Sequence, residues 1–338
     1  MIYITGANGW LGLNIVKSIK NGDSLKWGLP DQDMTCLILP NSDKSKLLDI
    51  SSDIKIIEGN LLDKNSIDIF LKSSRNQYLI HTAGIIHPKK VKDFFLINVV
   101  GTKNLLEIAI KNSIKKAVIV SSNSPCGCND SPDLLFDEKS PYNPYMNYGK
   151  SKMEMEIYVN KLFKKKLLDI TIIRAPWFYG PNQPARQKVF FDMIRNGNGP
   201  ILGDGNNLRS MAYVSNLAQG IILSLSKKVA SGKTYWIADE NPYTMNEIIN
   251  TIESILLNHF KQECDLGRLR LPNLVSNIAE TIDYYLQKLG IYHQKIHVLS
   301  EMNKHIVCDI SLAKNELGYK PEYSLKKGMY NSIKELYE

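Results

Sequence analysis

Three glycines stand near the start of this chain, inside Thr5-Gly6-Ala7-Asn8-Gly9-Trp10-Leu11-Gly12. A short apolar run, Ile2-Tyr3-Ile4, precedes them, and an apolar-periodic segment (Leu11, Ile15, Val16, Ile19) follows. The pattern predicts a strand, a tight turn and a helix. Glycine permits backbone conformations and close approaches that other residues do not. A helix that starts at such a turn points free N–H groups and the positive end of its dipole at an anion. The spacing is G-x-x-G-x-x-G, not the commonest G-x-G-x-x-G, and a motif this short also occurs in turns that bind nothing. The rest of the chain decides between these.

Apolar runs at 34–39, 54–59, 78–81 and 116–120 predict further strands, separated by helical patterns at 66–72 and 91–112. Strands alternating with helices predict a parallel, doubly wound sheet. Ligands of such sheets lie beyond the C-terminal strand ends, where Gly6, Asn60, His81, Ser121 and Ser122 fall. Gly101 lies inside the 91–112 pattern. It costs about 1 kcal/mol against Ala, so it requires a packing reason. The end of the second strand reads Leu39-Pro40-Asn41-Ser42-Asp43-Lys44. It lacks both the acid that reads a ribose 2′-hydroxyl and the Arg that accepts a 2′-phosphate. Lys44 or Lys46 could meet a phosphate and Asn41 or Ser42 a hydroxyl, so NAD and NADP both stay open.

Composition excludes several classes. The net charge of +8, from 42 Lys+Arg against 34 Asp+Glu, is mild and suits an anionic small substrate. No basic stripe interleaved with aromatics points to nucleic acid. Cys36, Cys126, Cys128, Cys264 and Cys308 have no metal-like spacing, nor do His259, His293, His297 and His305. No metal is expected, and free thiols fit a reducing cytoplasm. A strand at residue 2 leaves no signal peptide, and no apolar run reaches the ~20 residues of a membrane span. A cytoplasmic enzyme without membrane insertion is the expectation. Residues 272–299 predict an apolar-aromatic helix (Leu274, Ile278, Ile282, Tyr285, Leu289). It is expected to pack inside a small lobe rather than cover an apolar substrate or touch a membrane surface.

Tyr148 and Lys152 lie i and i+4 in a predicted helix over 146–166 and share one face. A free Tyr, pKa about 10, is a poor base at neutral pH. A cation on the same face favours the phenolate. The phenol can then take a proton from a substrate hydroxyl, and a hydroxyl such as Ser122 can hold the oxygen that forms. Tyr145 is a rival without a Lys at i+4. Alone, the pair is also a common surface combination.

Together the motifs are far more specific. The chain resembles the extended short-chain dehydrogenase/reductase superfamily, in its NAD(P)-dependent epimerase/dehydratase branch. The matching residues stand in family order: the glycine turn, His81-Thr82-Ala83-Gly84, Asn98-x-x-Gly101-Thr102, Val120-Ser121-Ser122, Tyr148-Gly149-Lys150-Ser151-Lys152, and Arg174-Ala175-Pro176-x-x-Tyr179-Gly180-Pro181. Gly203-Asp204-Gly205 with Arg209, and Leu317-Gly318-Tyr319-x-Pro321, follow. The resemblance implies an α/β Rossmann doubly wound sheet with a smaller, discontinuous C-terminal substrate lobe. Residues 1–176 and about 212–240 would form the NAD(P)-binding domain, and about 177–211 and 241–338 the lobe. It implies Tyr148 as catalytic base and acid, Lys152 as the group that lowers its pKa and bonds the nicotinamide ribose, and Ser122, with Ser121 as runner-up, as their partner. It implies cofactor contacts from Gly6, Asn8, Gly9, Trp10, Leu11, Gly12, Asn60, Leu61, Thr82, Ala83, Gly84, Asn98, Ser121, Tyr148, Lys152 and Pro176. Asn60 stands where the family usually has Asp, and Asn98 largely supports the site. Helices near 91–112 and 146–166 could pair in a homodimer.

Departures narrow the chemistry. Family 4,6-dehydratases carry Asp-Glu after the catalytic hydroxyl residue; here Asn123-Ser124 follows, which disfavours dehydration. GDP-sugar epimerase-reductases have Cys where Ser124 stands, and Cys126 is expected as a small buried core residue. Met211-Ala212-Tyr213-Val214-Ser215-Asn216 looks more like 3β-hydroxysteroid-dehydrogenase-type members. Arg209 points the other way, since Arg after G-D-G binds a diphosphate in the sugar-nucleotide branch. Ser124, Asn182 and Arg209 are the candidate substrate residues. The expected function is an NAD(P)-dependent epimerase or reductase of a nucleoside diphosphate-sugar. The alternatives are a steroid-type alcohol dehydrogenase and a non-catalytic cofactor-binding protein.

Overall fold

The computed structural model describes residues 1–337. Its centre is a seven-stranded sheet of β1 Ile2–Thr5, β2 Met34–Ile38, β3 Lys55–Glu58, β4 Tyr78–His81, β5 Lys116–Ser122, β6 Asp169–Ala175 and β7 Thr234–Trp236. The order is β7-β6-β5-β4-β1-β2-β3, and every pairing is parallel. The winding runs outward from β1 to β3, then returns past β1 to β4. A doubly wound sheet opens its crevice at such a reversal, and the glycine turn after Thr5 lies there.

Successive strand residues face opposite sides of a sheet. Ile2, Ile4, Cys36, Ile38, Ile80, Val118 and Ile173 join one buried cluster with helix α1 (Trp10–Lys20) and residues of a later helix over 214–226. Tyr3, Leu37, Leu79, Ala117, Ile119 and Ile172 join a second. It includes residues of α2 (Lys64–Leu71), of the composite helix α3 (91–111) and of α4 (Met146–Lys164). The result is three layers, helix on sheet on helix. Helix α3 runs as Val91–Phe94, then a π-helical Phe95–Gly101, then Thr102–Lys111. Gly101 has its packing reason here: a Cβ there would lie 3.0 Å from the Leu61 Cβ.

A third cluster, with Tyr179, Phe191, Met211, Met245, Ile252 and Met329, contains no residue of the central sheet. It draws on α5 (Val214–Ser226) only at the border, through Tyr213 before it, and chiefly on α6 (Met245–Asn258). Helix α6 starts at a capping box of Thr244 and Glu247. Cys308, Ile310, Ala313, Leu317 and Tyr319 pack into the first cluster instead.

The 272–299 region differs from the expectation in two ways. It forms two helices, α7 (Asn273–Lys288) and α8 (Gln294–Glu301), with Gly290 at φ +83° in the turn between them. Its apolar stripe does not pack inside a lobe: Leu274 is 63% exposed and Leu289 76%, and Ile278, Ile282 and Tyr285 are also exposed. The inward face carries Ser276, Ala279, Asp283 and Gln287. Polar partners hold it. The Ser276 hydroxyl donates to Asn303 Oδ1 at 2.7 Å, and His297 Nδ1 lies 2.7 Å from Asp283 Oδ2.

Candidate active site

The crevice is walled by backbone. Gly6 takes φ +71°, and a Cβ there would lie 2.7 Å from the Ala83 nitrogen. A Cβ on Gly12 would lie 2.1 Å from the Gly6 carbonyl oxygen. No side chain caps the N-terminus of α1 after Gly9, which leaves its first N–H groups for an anion. This arrangement fits a dinucleotide pyrophosphate. Asn8 is half-buried in the turn and Leu11 is buried. The Trp10 Nε1 donates to the Pro181 carbonyl at 2.9 Å, and its ring packs on Phe178. It ties the turn to the 180–181 loop, helped by Asn14 Nδ2 on the same carbonyl at 3.1 Å.

The end of β4 is fixed by two side chains. The Thr82 hydroxyl donates to the Thr5 carbonyl at 2.8 Å. His81 is buried between Thr5 Oγ1 at 2.6 Å and Thr102 Oγ1 at 2.9 Å. Burial, aided by the charge of Lys152, pushes its pKa down to about 3, so it is a neutral staple. Ala83 and Gly84 follow, and a Cβ on Gly84 would lie 3.7 Å from Lys152 Nζ. At the β3 end, Asn60 Oδ1 accepts from the Leu62 N–H at 2.9 Å, while Leu61 is buried and its carbonyl accepts from Asn104. Lys44, a candidate for a 2′-phosphate, is ion-paired with Glu58.

The catalytic candidates converge where β5 ends and α4 begins. The Ser122 hydroxyl lies close enough to the Tyr148 phenol to favour its charged form. Ser122 Oγ also lies 3.3 Å from Ser124 Oγ. The Lys152 ammonium is buried one turn along α4 and donates to the Val120 carbonyl at 2.9 Å. Burial pushes Lys152 down to about 8, and burial pushes Tyr148 up to about 12 against the opposing pull of Ser122. The Lys152 ammonium makes its bonds to the Val120 carbonyl and the Met155 sulfur, not to the Tyr148 phenol. Its charge is directed at the strand carbonyl, and desolvation dominates both groups. Phe94 packs on the Tyr148 ring at 5.7 Å, with Tyr292 beyond it. The rival Tyr145 is engaged elsewhere, its hydroxyl 2.8 Å from Ser300 Oγ on α8.

Other candidates have other occupations. Asn98 is a support: its Oδ1 accepts from the Ile85 N–H at 2.8 Å, and its Nδ2 donates to the Ile85 carbonyl and Ser151. Ser121 Oγ is buried without a hydrogen-bond partner, and Pro176 is buried just past β6. Asn182, at φ +62°, donates its N–H to Glu335 at 2.6 Å. Arg209 is buried, with one arm donating to the Glu301 carbonyl and its Nε unpartnered. Cys126 is a buried core thiol pushed up to about 11 by burial.

Two buried networks carry no local sequence signal. Arg174 on β6 pairs with Glu156 on α4 at 2.8 Å, and Tyr142 donates to the same carboxylate at 3.0 Å. Asp239 accepts from the Tyr179 hydroxyl at 2.6 Å, the Tyr213 N–H at 2.9 Å and Asn216 at 2.8 Å. Their partners lie 14 to 60 residues apart, too far for a periodicity argument to join them.

A family model described as "NAD dependent epimerase/dehydratase family" matches residues 2–238. An uncharacterized protein, y4nL, of Sinorhizobium fredii is 44% identical over 98% of this chain and 94% of its own. The sterol-4-alpha-carboxylate 3-dehydrogenase ERG26, decarboxylating, of Candida albicans is 26% identical over 97% of this chain and 95% of its own. The fold matches a UDP-glucose 4-epimerase from Thermotoga maritima, solved with UDP-glucose, at a TM-score of 0.77. That match has 20% identity and covers 99% of this chain and 98% of the other. With its glycine turn, its reversal point and its match over most of its length, the chain belongs to the NAD-dependent epimerase/dehydratase family of extended short-chain dehydrogenases/reductases.

Proposed function

We propose that the chain is an epimerase or reductase that works on a hydroxyl or keto carbon of a nucleoside diphosphate-sugar. The observation that carries the proposal is the Tyr148 phenol facing Ser122, with the Lys152 ammonium one helical turn away beside Gly84. When bound, NAD supplies the hydride acceptor. The α1 N-terminus would hold its pyrophosphate and Lys152 its nicotinamide ribose. Tyr148 takes or returns the proton of the sugar hydroxyl, and Ser122 holds the oxygen as its charge changes. The buried, unpartnered Nε of Arg209 is a donor left for a diphosphate oxygen. The Lys44–Glu58 ion pair favours NAD over NADP, because it occupies the cation a 2′-phosphate would need. Asn123 and Ser124 offer no carboxylate pair, which disfavours 4,6-dehydration. Exposed Leu96, Val100 and Ile157 on α3 and α4 support a homodimer through those helices.

A second reading, a steroid-type alcohol dehydrogenase, draws on the apolar wall of Phe94 and Tyr292 beside Tyr148 and on the Candida albicans relative. Thermal stability with NAD plus a ligand panel separates the two, since a ligand of the native state must raise it. Stabilisation by UDP- or dTDP-sugars, with an epimerised or reduced product by mass spectrometry and NMR, is the expected result. Stabilisation and turnover only with hydroxysteroids would replace the first reading by the second.

A further inference from the structure

At 3.6 residues per turn, Leu274, Ile278, Ile282, Tyr285 and Leu289 fall within an arc of about 80° on α7. All five are exposed, and Tyr284, Ile291 and Val298 extend the patch. The opposite arc holds Ser276, Ala279, Asp283 and Gln287 and is buried. Helix α7 thus turns its polar side to the protein and its apolar side out.

The charges on this hairpin are one-sided. Of its three carboxylates, Glu280 pairs with Lys304 at 2.7 Å, Asp283 is buried against His297, and Glu301 is half-buried at the end of α8. Its exposed formal charges are Lys288 and Lys295. Gly290 and Ile291 lie against the Lys89–Lys90 segment through the Val91 N–H to Gly290 carbonyl bond at 3.0 Å and the Lys90–Ile291 bridge. Lys89 and Lys90 are exposed as well. Among the described residues none of these four lysines has a carboxylate within ion-pair distance. An apolar band ringed by unpaired lysines and carrying tyrosines matches an anionic lipid surface. A second copy fits poorly: a two-fold contact would set this face on itself, lysines against lysines with no acid between them.

We propose that the α7–α8 hairpin docks the protein on an anionic membrane surface, with α7 lying in the interface plane. No helix among the described residues is long and apolar enough to cross a membrane, so the attachment is peripheral. The same hairpin brings Tyr292 against Phe94 beside Tyr148, so docking face and candidate site share one element.

Vesicle flotation of the full chain tests this. With phosphatidylcholine vesicles containing about a third phosphatidylglycerol, the protein should float, with at least about tenfold less binding to pure phosphatidylcholine and a loss at high salt. Ile278→Gln/Leu289→Gln and Lys288→Glu/Lys295→Glu should each abolish flotation. Both change exposed side chains, and unchanged melting temperature and monodispersity verify folding. No flotation of the wild type, or flotation unaltered by both variants, overturns the proposal. So would a wild-type oligomer in vesicle-free buffer that Ile278→Gln/Leu289→Gln dissociates, since that assigns the face to self-association.

Discussion

A methyl group on Gly12 would lie 2.1 Å from the Gly6 carbonyl oxygen, whereas one on Gly290, at the end of α7, would meet nothing within 4 Å. The same residue type serves two purposes. In the crevice glycine lets backbone approach backbone, so the site is made of main chain over a sheet whose inner strands are buried. In the hairpin it serves a left-handed turn under open solvent, and the surrounding surface is apolar without being packed. The sheet end is specified by contacts within the molecule, the hairpin's outer face by something it meets.

Perturbing each region should show this asymmetry. The largest effect belongs to the sheet side. Arg174→Met leaves Glu156 buried without its cation, and urea unfolding should register a loss of about 3–5 kcal/mol. Gly12→Ala should cost about 3 kcal/mol by overpacking, and titration should show NAD binding lost with it. Acid should destabilise the same region through His81. Between its folded value of about 3 and its ordinary 6.5 the unfolded chain binds a proton that the native ring refuses. Stability therefore falls as pH drops through that window, by up to about 1.4 kcal/mol per pH unit. Urea midpoints from pH 7 to pH 4 check the slope, and His81→Gln should flatten it. On the hairpin Gly290→Ala should cost about 1 kcal/mol, from φ +83° alone. Leu289→Ser should stay within about 0.5 kcal/mol. A large loss there would mean that the outer face is packed after all.

The sheet and the glycine turn were legible because their signals are local: short apolar runs, strand-end polar residues, glycines at fixed spacing. Tyr148 and Lys152 were legible as an i, i+4 pair, but the direction of the Lys152 ammonium was not, since Val120 lies 32 residues away. The Trp10 indole ties the turn to Pro181, 171 residues on, a link that no local pattern announces. The periodicity of α7 identified which residues share a face. It could not identify which face points inward, because that depends on whether Ser276 and Asp283 find partners on α8, here the Ser300 carbonyl and His297.

The central claim is that the Tyr148 phenol moves the substrate's proton while backbone holds the cofactor. Tyr148→Phe, assayed for turnover with the sugar nucleotide that stabilises the wild type and for NAD affinity by calorimetry, addresses it directly. The account predicts kcat lower by about 100-fold or more with NAD affinity within about twofold of wild type, since the glycine turn is untouched. Wild-type turnover in the variant would contradict it.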